Sequence, residues 1–329
     1  MPSYSGVWTL TAQYQAVGAN NWPSGPVTGL FGGSKTNSVT NVINQVTIGT
    51  LGNATDFGDL SVTRYIVGAC SSSTRGIFAG GLNSSGSANL NTIDYITFST
   101  VGNATDFGDL TQTKSEIAGC SSSTRGLFAG GNTGTGGTNT PVNVIEYITI
   151  ASTGNGTDFG DIAVITRSMG SLSSSTRGVF NNGSQQTYSQ NTNVIQYVTI
   201  ASTGNATDFG DTTAPWTWAA SCSNSTRGLL SAGVGDGDVF LNTINYITIA
   251  STGNATDFGD LILKTQGIAA CANATRGIWG GGNLYDGGHV YYNVIQYVTI
   301  ATTGDATDFG DLTQVTAFSG ACSNGHGGL

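Results

Sequence analysis

The pentapeptide Thr-Asp-Phe-Gly-Asp occurs six times in this chain of 329 residues, beginning at Thr55, Thr105, Thr157, Thr207, Thr256 and Thr307, at intervals of 49 to 52 residues. A period of that length marks a protein assembled from supersecondary units that bury their apolar faces against one another. Each unit carries four strand-length segments, which in the second are YIVGACSS, GIFAGG, TIDYITF and ATDFGDL. The first is rich in small residues, with Gly68, Ala69 and Cys70 matched by Ala118, Gly119 and Cys120, as a strand crowded near a central axis requires. The second ends in glycines that let the backbone turn or approach a neighbour. The third alternates, Val144, Glu146, Ile148 and Ile150 opposing Ile145, Tyr147 and Thr149, which is the period of a strand. The fourth, Asp-Phe-Gly-Asp, is the most polar and belongs at the rim.

Six copies of the second, third and fourth segments lie between Gly29 and Leu312, whereas the first unit has no obvious inner strand of its own. A spare copy, TAFSGACSN, stands at the C-terminus. Pairing it with the first GLFGG closes a ring of six four-stranded blades without an open edge, so the expected fold is an all-β propeller over 29–329. The alternative uses Gln15 to Asn20 as an inner strand and builds a seventh, partial blade from the two termini. Residues 1–28 are unlike the repeats, with Trp8, Tyr14 and Trp22, and are read as an anchor or plug holding a short helix from about Thr11 to Val17.

A hydrophobic content of 38% in regularly spaced runs supplies the core that a disordered Gly- and Ser-rich chain lacks. The net charge of -9 repels phosphate backbones, which argues against nucleic acid as a ligand. The start, Met1 to Trp8, has neither the cationic segment nor the apolar stretch of a signal peptide, and no run reaches membrane-span length. The expectation is a protein made in the cytoplasm and not inserted in a membrane.

The glycine doublet after an apolar strand, followed by a strand bearing Tyr95, Tyr147, Tyr197, Tyr246 or Tyr297, resembles the kelch repeat of galactose-oxidase-like propellers. Phe57, Phe107, Phe159, Phe209, Phe258 and Phe309 stand where kelch sequences usually carry Trp. The near-identity of long stretches such as IASTGNATDFGD, with the opening YSGVWTLTAQYQA, is similar to tandem-repeat proteins of marine tailed bacteriophages. That resemblance implies a virion or tail-fibre component whose partners are other virion proteins or a host surface glycan.

Cys70, Cys120, Cys222, Cys271 and Cys322 share one position of the inner strand, where the remaining unit has Leu172. An apolar substitute and an odd count argue for separate buried thiols rather than disulfides or a metal site. The paired aspartates Asp56 and Asp59, Asp106 and Asp109, Asp158 and Asp161, Asp208 and Asp211, Asp257 and Asp260, and Asp308 and Asp311 recur with Arg75, Arg125, Arg177, Arg227 and Arg276. A calcium ion would need further converging oxygens, so the aspartates are read as a structural latch that meets a neighbouring arginine or caps turn amides. The DFG triplet lacks every companion of a kinase signature. With two histidines, His289 and His326, no copper site or nucleophile–base pair can be assembled, and the chain is read as a binder without cofactor rather than an enzyme.

Variation among the units is segregated. The links CSSSTRG and ASTGNATDFGD barely change, whereas the links between second and third strands, and those between units, change freely. Alternating strands bring the two variable sets out on one face, where a scaffold presenting a tailored site concentrates its differences. That face is expected to carry Tyr65, Tyr188, Trp216, Trp218, Phe240, Tyr285, Tyr291 and Tyr292, with Asp236, Asp238, Asp286 and His289 among them. Flat aromatic rings beside carboxylates suit sugar rings and protein partners alike.

Overall fold

The computed structural model describes residues 26–186, 190–231 and 233–329. Among them the chain forms antiparallel β-strands and turns, and no helix is long and apolar enough to cross a membrane. Sheet 1 is ordered Thr55–Asp59, Val39–Thr47, Thr28–Lys35, Gly320–Ser323, so the C-terminal strand pairs with the first described one. Sheet 2 runs Gly68–Ser71, Arg75–Ala79, Thr92–Thr97, Thr105–Asp109. Sheets 3, 4, 5 and 6 repeat this order from Ala118–Ser121, Gly170–Ser173, Ala220–Ser223 and Ala269–Ala272. The first strands of consecutive sheets touch one another, and the contacts return from sheet 6 to Gly320–Ser323 of sheet 1. This all-β arrangement of small antiparallel sheets is compatible with a β-propeller. Residues 1–25 of the anchor segment, with its helix and the alternative inner strand at residues 15–20, fall outside the described residues, and Thr28, assigned to the anchor, opens the first strand.

The phenylalanine and the glycine of the repeated pentapeptide each have a packing reason. Between the third and fourth strands every sheet has a bulge; in sheet 3, Ile145 faces Gly160 while Glu146 faces Asp158, so Phe159 is the extra residue. The bulge turns the phenyl ring inward, where it is buried and meets Tyr147 edge to face at 6.1 Å. The glycine that follows lies at φ 144–146° in all six copies. A Cβ at Gly108 would stand 2.5 Å from the carbonyl oxygen of Gly154, because the loop of the next unit covers the outer strand. There the N–H of Gly154 donates to Phe107 O at 2.8 Å and that of Gly156 to Asp109 O at 2.7 Å. The same pair of bonds joins Gly52 and Ala54 to Phe309 and Asp311, so the outer edge of the last sheet is covered by the first.

The inner strands interlock by side chains as well. Each inner-strand thiol or Leu172 fills the space left by a second-strand glycine of the following sheet: Cys70 against Gly126, Cys120 against Gly178, Leu172 against Gly228, Cys222 against Gly277, Cys271 against Gly29 and Cys322 against Gly76. At one end of these strands a girdle of serines links neighbours: Ser121 Oγ donates to Ser71 O, Ser173 Oγ to Ser121 O, Ser223 Oγ to Ser173 O and Ser71 Oγ to Ser323 O, at 2.7–2.8 Å.

Candidate functional site

The residue two places before each inner strand is Ile66, Glu116, Ser168, Trp218, Gly267 or Phe318, and all six lie in the left-handed region at φ 55–62°. Their backbones bond head to tail: the N–H of Ile66 donates to Phe318 O (2.8 Å), Glu116 to Ile66 O (3.3 Å), Ser168 to Glu116 O (3.0 Å), Trp218 to Ser168 O (3.1 Å) and Phe318 to Gly267 O (2.6 Å). The six residues line one opening above the inner strands, opposite the serine girdle. Glycine takes this conformation freely, and an ordinary residue pays roughly 1–2 kcal/mol for it. Five of the six positions nevertheless carry a side chain, and no two are alike. In a chain whose units otherwise copy one another, that combination marks residues kept for what their side chains meet.

Around this mouth the two variable sets of links come together. Each link between units bridges to the second-to-third-strand link beside it, as in Tyr65 with Leu82, Ser115 with Asn132, Arg167 with Ser184, Thr217 with Val234, Gln266 with Asn283, and Lys35 with Ala317. They enclose a cavity of about 380 Å³ whose walls include Lys35, Tyr65, Trp218, His289, Tyr291 and Phe318. Trp218 and Phe318 meet edge to face at 4.9 Å and also line an adjoining space of about 230 Å³ with Asp238 and Gln266. The hairpin of Asn283–Tyr285 and His289–Thr299 pairs Tyr285 with His289 and Asn283 with Tyr291. Strand alternation places His289 and Tyr291 on one face, stacked at 5.8 Å, with Tyr285 edge-on to His289 at 5.1 Å. The Asn283 side-chain amide and His289 Nδ1 are 2.9 Å apart, a hydrogen bond that holds the imidazole at the mouth.

No protein-family model and no curated protein matches this chain. Function is therefore argued from the site itself.

Several expected residues meet at the mouth and others do not. Tyr65, Trp218, His289 and Tyr291 line the larger space, Asp238 lines the smaller, and Tyr285 meets His289 edge-on. Tyr292 and Phe240 are half-buried in neighbouring strands, and Asp236 and Asp286 are exposed at turns. Tyr188 falls outside the described residues. Trp216 is a correction: it is 1% exposed, because its place in the link is the position where Arg64, Lys114, Thr166, Thr265 and Thr316 are also buried. Ile66, Glu116, Ser168 and Phe318 were not anticipated, although the sequence holds the signal, six different residue types in one column of the repeat.

The expected latch also takes a different form. Arg75, Arg125, Arg177, Arg227 and Arg276 donate from Nη1 to the carbonyls of Ile150, Ile200, Ile249, Ile300 and Ile48, at 2.8–3.2 Å, instead of meeting the aspartates. Each guanidinium lies over the tyrosine of its own sheet, at 4.4–4.9 Å from the ring centre. The first aspartate of each pair, Asp56, Asp106, Asp158, Asp208, Asp257 and Asp308, is exposed. The amides of Asp59, Asp109, Asp161, Asp211 and Asp311 are capped by Asn103, Asn155, Asn205, Asn254 and Asn53, and that of Asp260 by Asp305. The aspartate backbone thus receives a cap where its side chain was expected to give one.

A second latch lies on the third strand. The side-chain oxygens of Asp94, Glu146, Gln196, Asn245, Gln296 and Asn44 accept the N–H of Ser61, Thr111, Ala163, Thr213, Ile262 and Thr313, each in the link from the preceding sheet, at 2.6–3.0 Å. Where that oxygen belongs to a carboxylate, a buried cation answers it: Arg64 to Asp94 at 3.0 Å and Lys114 to Glu146 at 2.8 Å. Burial lowers the pKa of both cations, and the partner carboxylates oppose the shift. At the mouth Glu116 accepts Arg167 Nη1 at 2.5 Å, the Ser168 hydroxyl and the Asn132 amide.

Proposed function

We propose that the chain is a six-bladed propeller of the kelch type, a component of a phage virion or tail fibre, and that the mouth of its variable face binds a host surface glycan. The ring reading draws support from the cyclic contacts of the inner strands and from the outer-edge cover that passes from the last sheet to the first. The virion assignment rests on the resemblance of the repeats to phage tandem-repeat proteins.

The observation that carries the binding role is the set of five different side chains held at left-handed φ around one opening. A cavity of about 380 Å³ falls within the range that holds small ligands, and its rings offer flat faces for sugars with polar groups at their edges. Its described lining offers aromatic rings and hydrogen-bonding groups, and we read it as a binding site.

A second reading, a protein partner, is favoured by the exposed Val62, Ile165, Ile262 and Val315, which stand on four of the links between units on the same face. Two measurements test the proposal: detection of the chain in purified particles, and binding of host-derived polysaccharide without loss of polymer length. Shortening of the polymer replaces the binder with a depolymerase, and retention of another virion protein in place of polysaccharide moves the face to assembly.

A further inference from the structure

Resting on the glycan reading, the distribution of cations narrows the ligand. Of the ten Lys and Arg side chains, Arg75, Arg125, Arg177, Arg227 and Arg276 are held on carbonyls beside the nearly invariant links, and Arg64, Lys114 and Arg167 are in buried ion pairs. Two remain, Lys35 and Lys264, and both stand on the variable side. Lys35 lines the larger cavity, half-buried, its Nζ 4.8 Å from the centre of the Tyr65 ring and 3.4 Å from the Tyr65 hydroxyl. These contacts fix its position without neutralising its charge.

Among the described residues the remaining wall of that cavity adds no unanswered carboxylate. His289 stands on it, and Glu116 is already satisfied by Arg167, Ser168 and Asn132. In a chain of net charge -9, this compartment is therefore locally cationic. The adjoining space behind Trp218 and Phe318 has the opposite character, with Asp238 on its wall and no cation. Asp286 sits exposed at the tip of the histidine hairpin.

We infer that the mouth selects a carboxylate-bearing sugar, with its acid group beside Lys35 and His289 and a neutral sugar ring in the compartment of Asp238. A carboxylate in the first compartment gains a charge-assisted bond to an ammonium that is already positioned, whereas one in the second meets Asp238 and is repelled. A polymer alternating acidic and neutral sugars fits both.

The test is an array of bacterial surface polysaccharides in matched pairs, each uronate-bearing polymer printed beside its carboxyl-reduced form, probed with the wild-type chain and with Lys35→Gln. The expected result is at least about tenfold preference of the wild type for the acidic member, collapsing to near parity in Lys35→Gln. Equal wild-type binding to both members overturns the inference and leaves the glycan reading standing. Binding to no polymer on the array overturns the glycan reading and the inference with it. Lys35→Arg, which keeps the charge, should retain the preference, and its loss there would assign the effect to packing against Tyr65 instead.

Discussion

The backbone N–H of Ile66 donates to the carbonyl of Phe318 at 2.8 Å, joining the second unit of the chain to its last one at the mouth of the variable face. The two residues are equivalent in the repeat, share a left-handed backbone and differ completely in side chain. Repetition and variation are thus separated within one residue: the main chain repeats and the side chain does not.

Trp216 and Trp218 are two residues apart and should respond to mutation in different ways. Trp216→Ala empties a fully buried site and should cost about 3–5 kcal/mol, read as a lower denaturant midpoint. Trp218→Gly removes a half-buried ring but relieves roughly 1–2 kcal/mol of backbone strain, so the midpoint should move little while ligand binding falls at least about tenfold.

The buried pair Lys114–Glu146 can be broken and then replaced by its own neutral counterpart. Lys114→Thr alone strands the Glu146 carboxylate and should destabilise by about 3–5 kcal/mol. Adding Glu146→Gln copies the Thr166 and Gln196 arrangement of sheet 4, where Gln196 Oε1 still accepts the link amide of Ala163, and should recover most of the loss. Chemical denaturation of the two single variants and the double variant gives the coupling directly.

His326, near the C-terminus, reaches back to the serine girdle, with Nε2 3.0 Å from Ser71 O, and Gly327 N–H donates to Ser223 O at 2.9 Å. Burial lowers the imidazole pKa below its ordinary 6.5. The unfolded chain therefore takes up the proton first, so this contribution to stability is intact above pH 6.5 and is lost as the pH falls below it. Thermal melts should show a steeper acid decline for wild type than for His326→Gln.

The five thiols should be silent in the folded chain. All are buried and free, and burial raises their pKa, that of Cys120 and Cys322 to about 12. Ellman's reagent should react with none of them under native conditions and with five after unfolding. Since the unfolded thiol ionises near 9.0, stability should fall as the pH rises from there toward 12.

The spacing of TDFGD, the alternation of VIEYITI and the spare TAFSGACSN are short-range signals, and they suffice to locate the strands and the pairing of the C-terminal strand with the first GLFGG. Partners across units were harder to see. Arg75 and Asp56 repeat with the same period, so sequence could not say whether they meet, and the carbonyl of Ile150, which Arg75 actually reaches, leaves no mark in composition. Trp216 looked exposed because it lies in a variable link, but its position in the repeat is buried in every unit. The mouth residues escaped because a left-handed φ at Glu116 or Phe318 contradicts local propensity and is imposed by the neighbouring units.

Hydrogen exchange measured with and without a polysaccharide bound by the chain tests the central claim most directly. The account predicts slowed exchange in the links around Ile66, Glu116, Ser168, Trp218 and Phe318 and in the hairpin of His289, with the CSSSTRG links unchanged. Protection confined to those nearly invariant links, with the mouth exchanging as before, would contradict it.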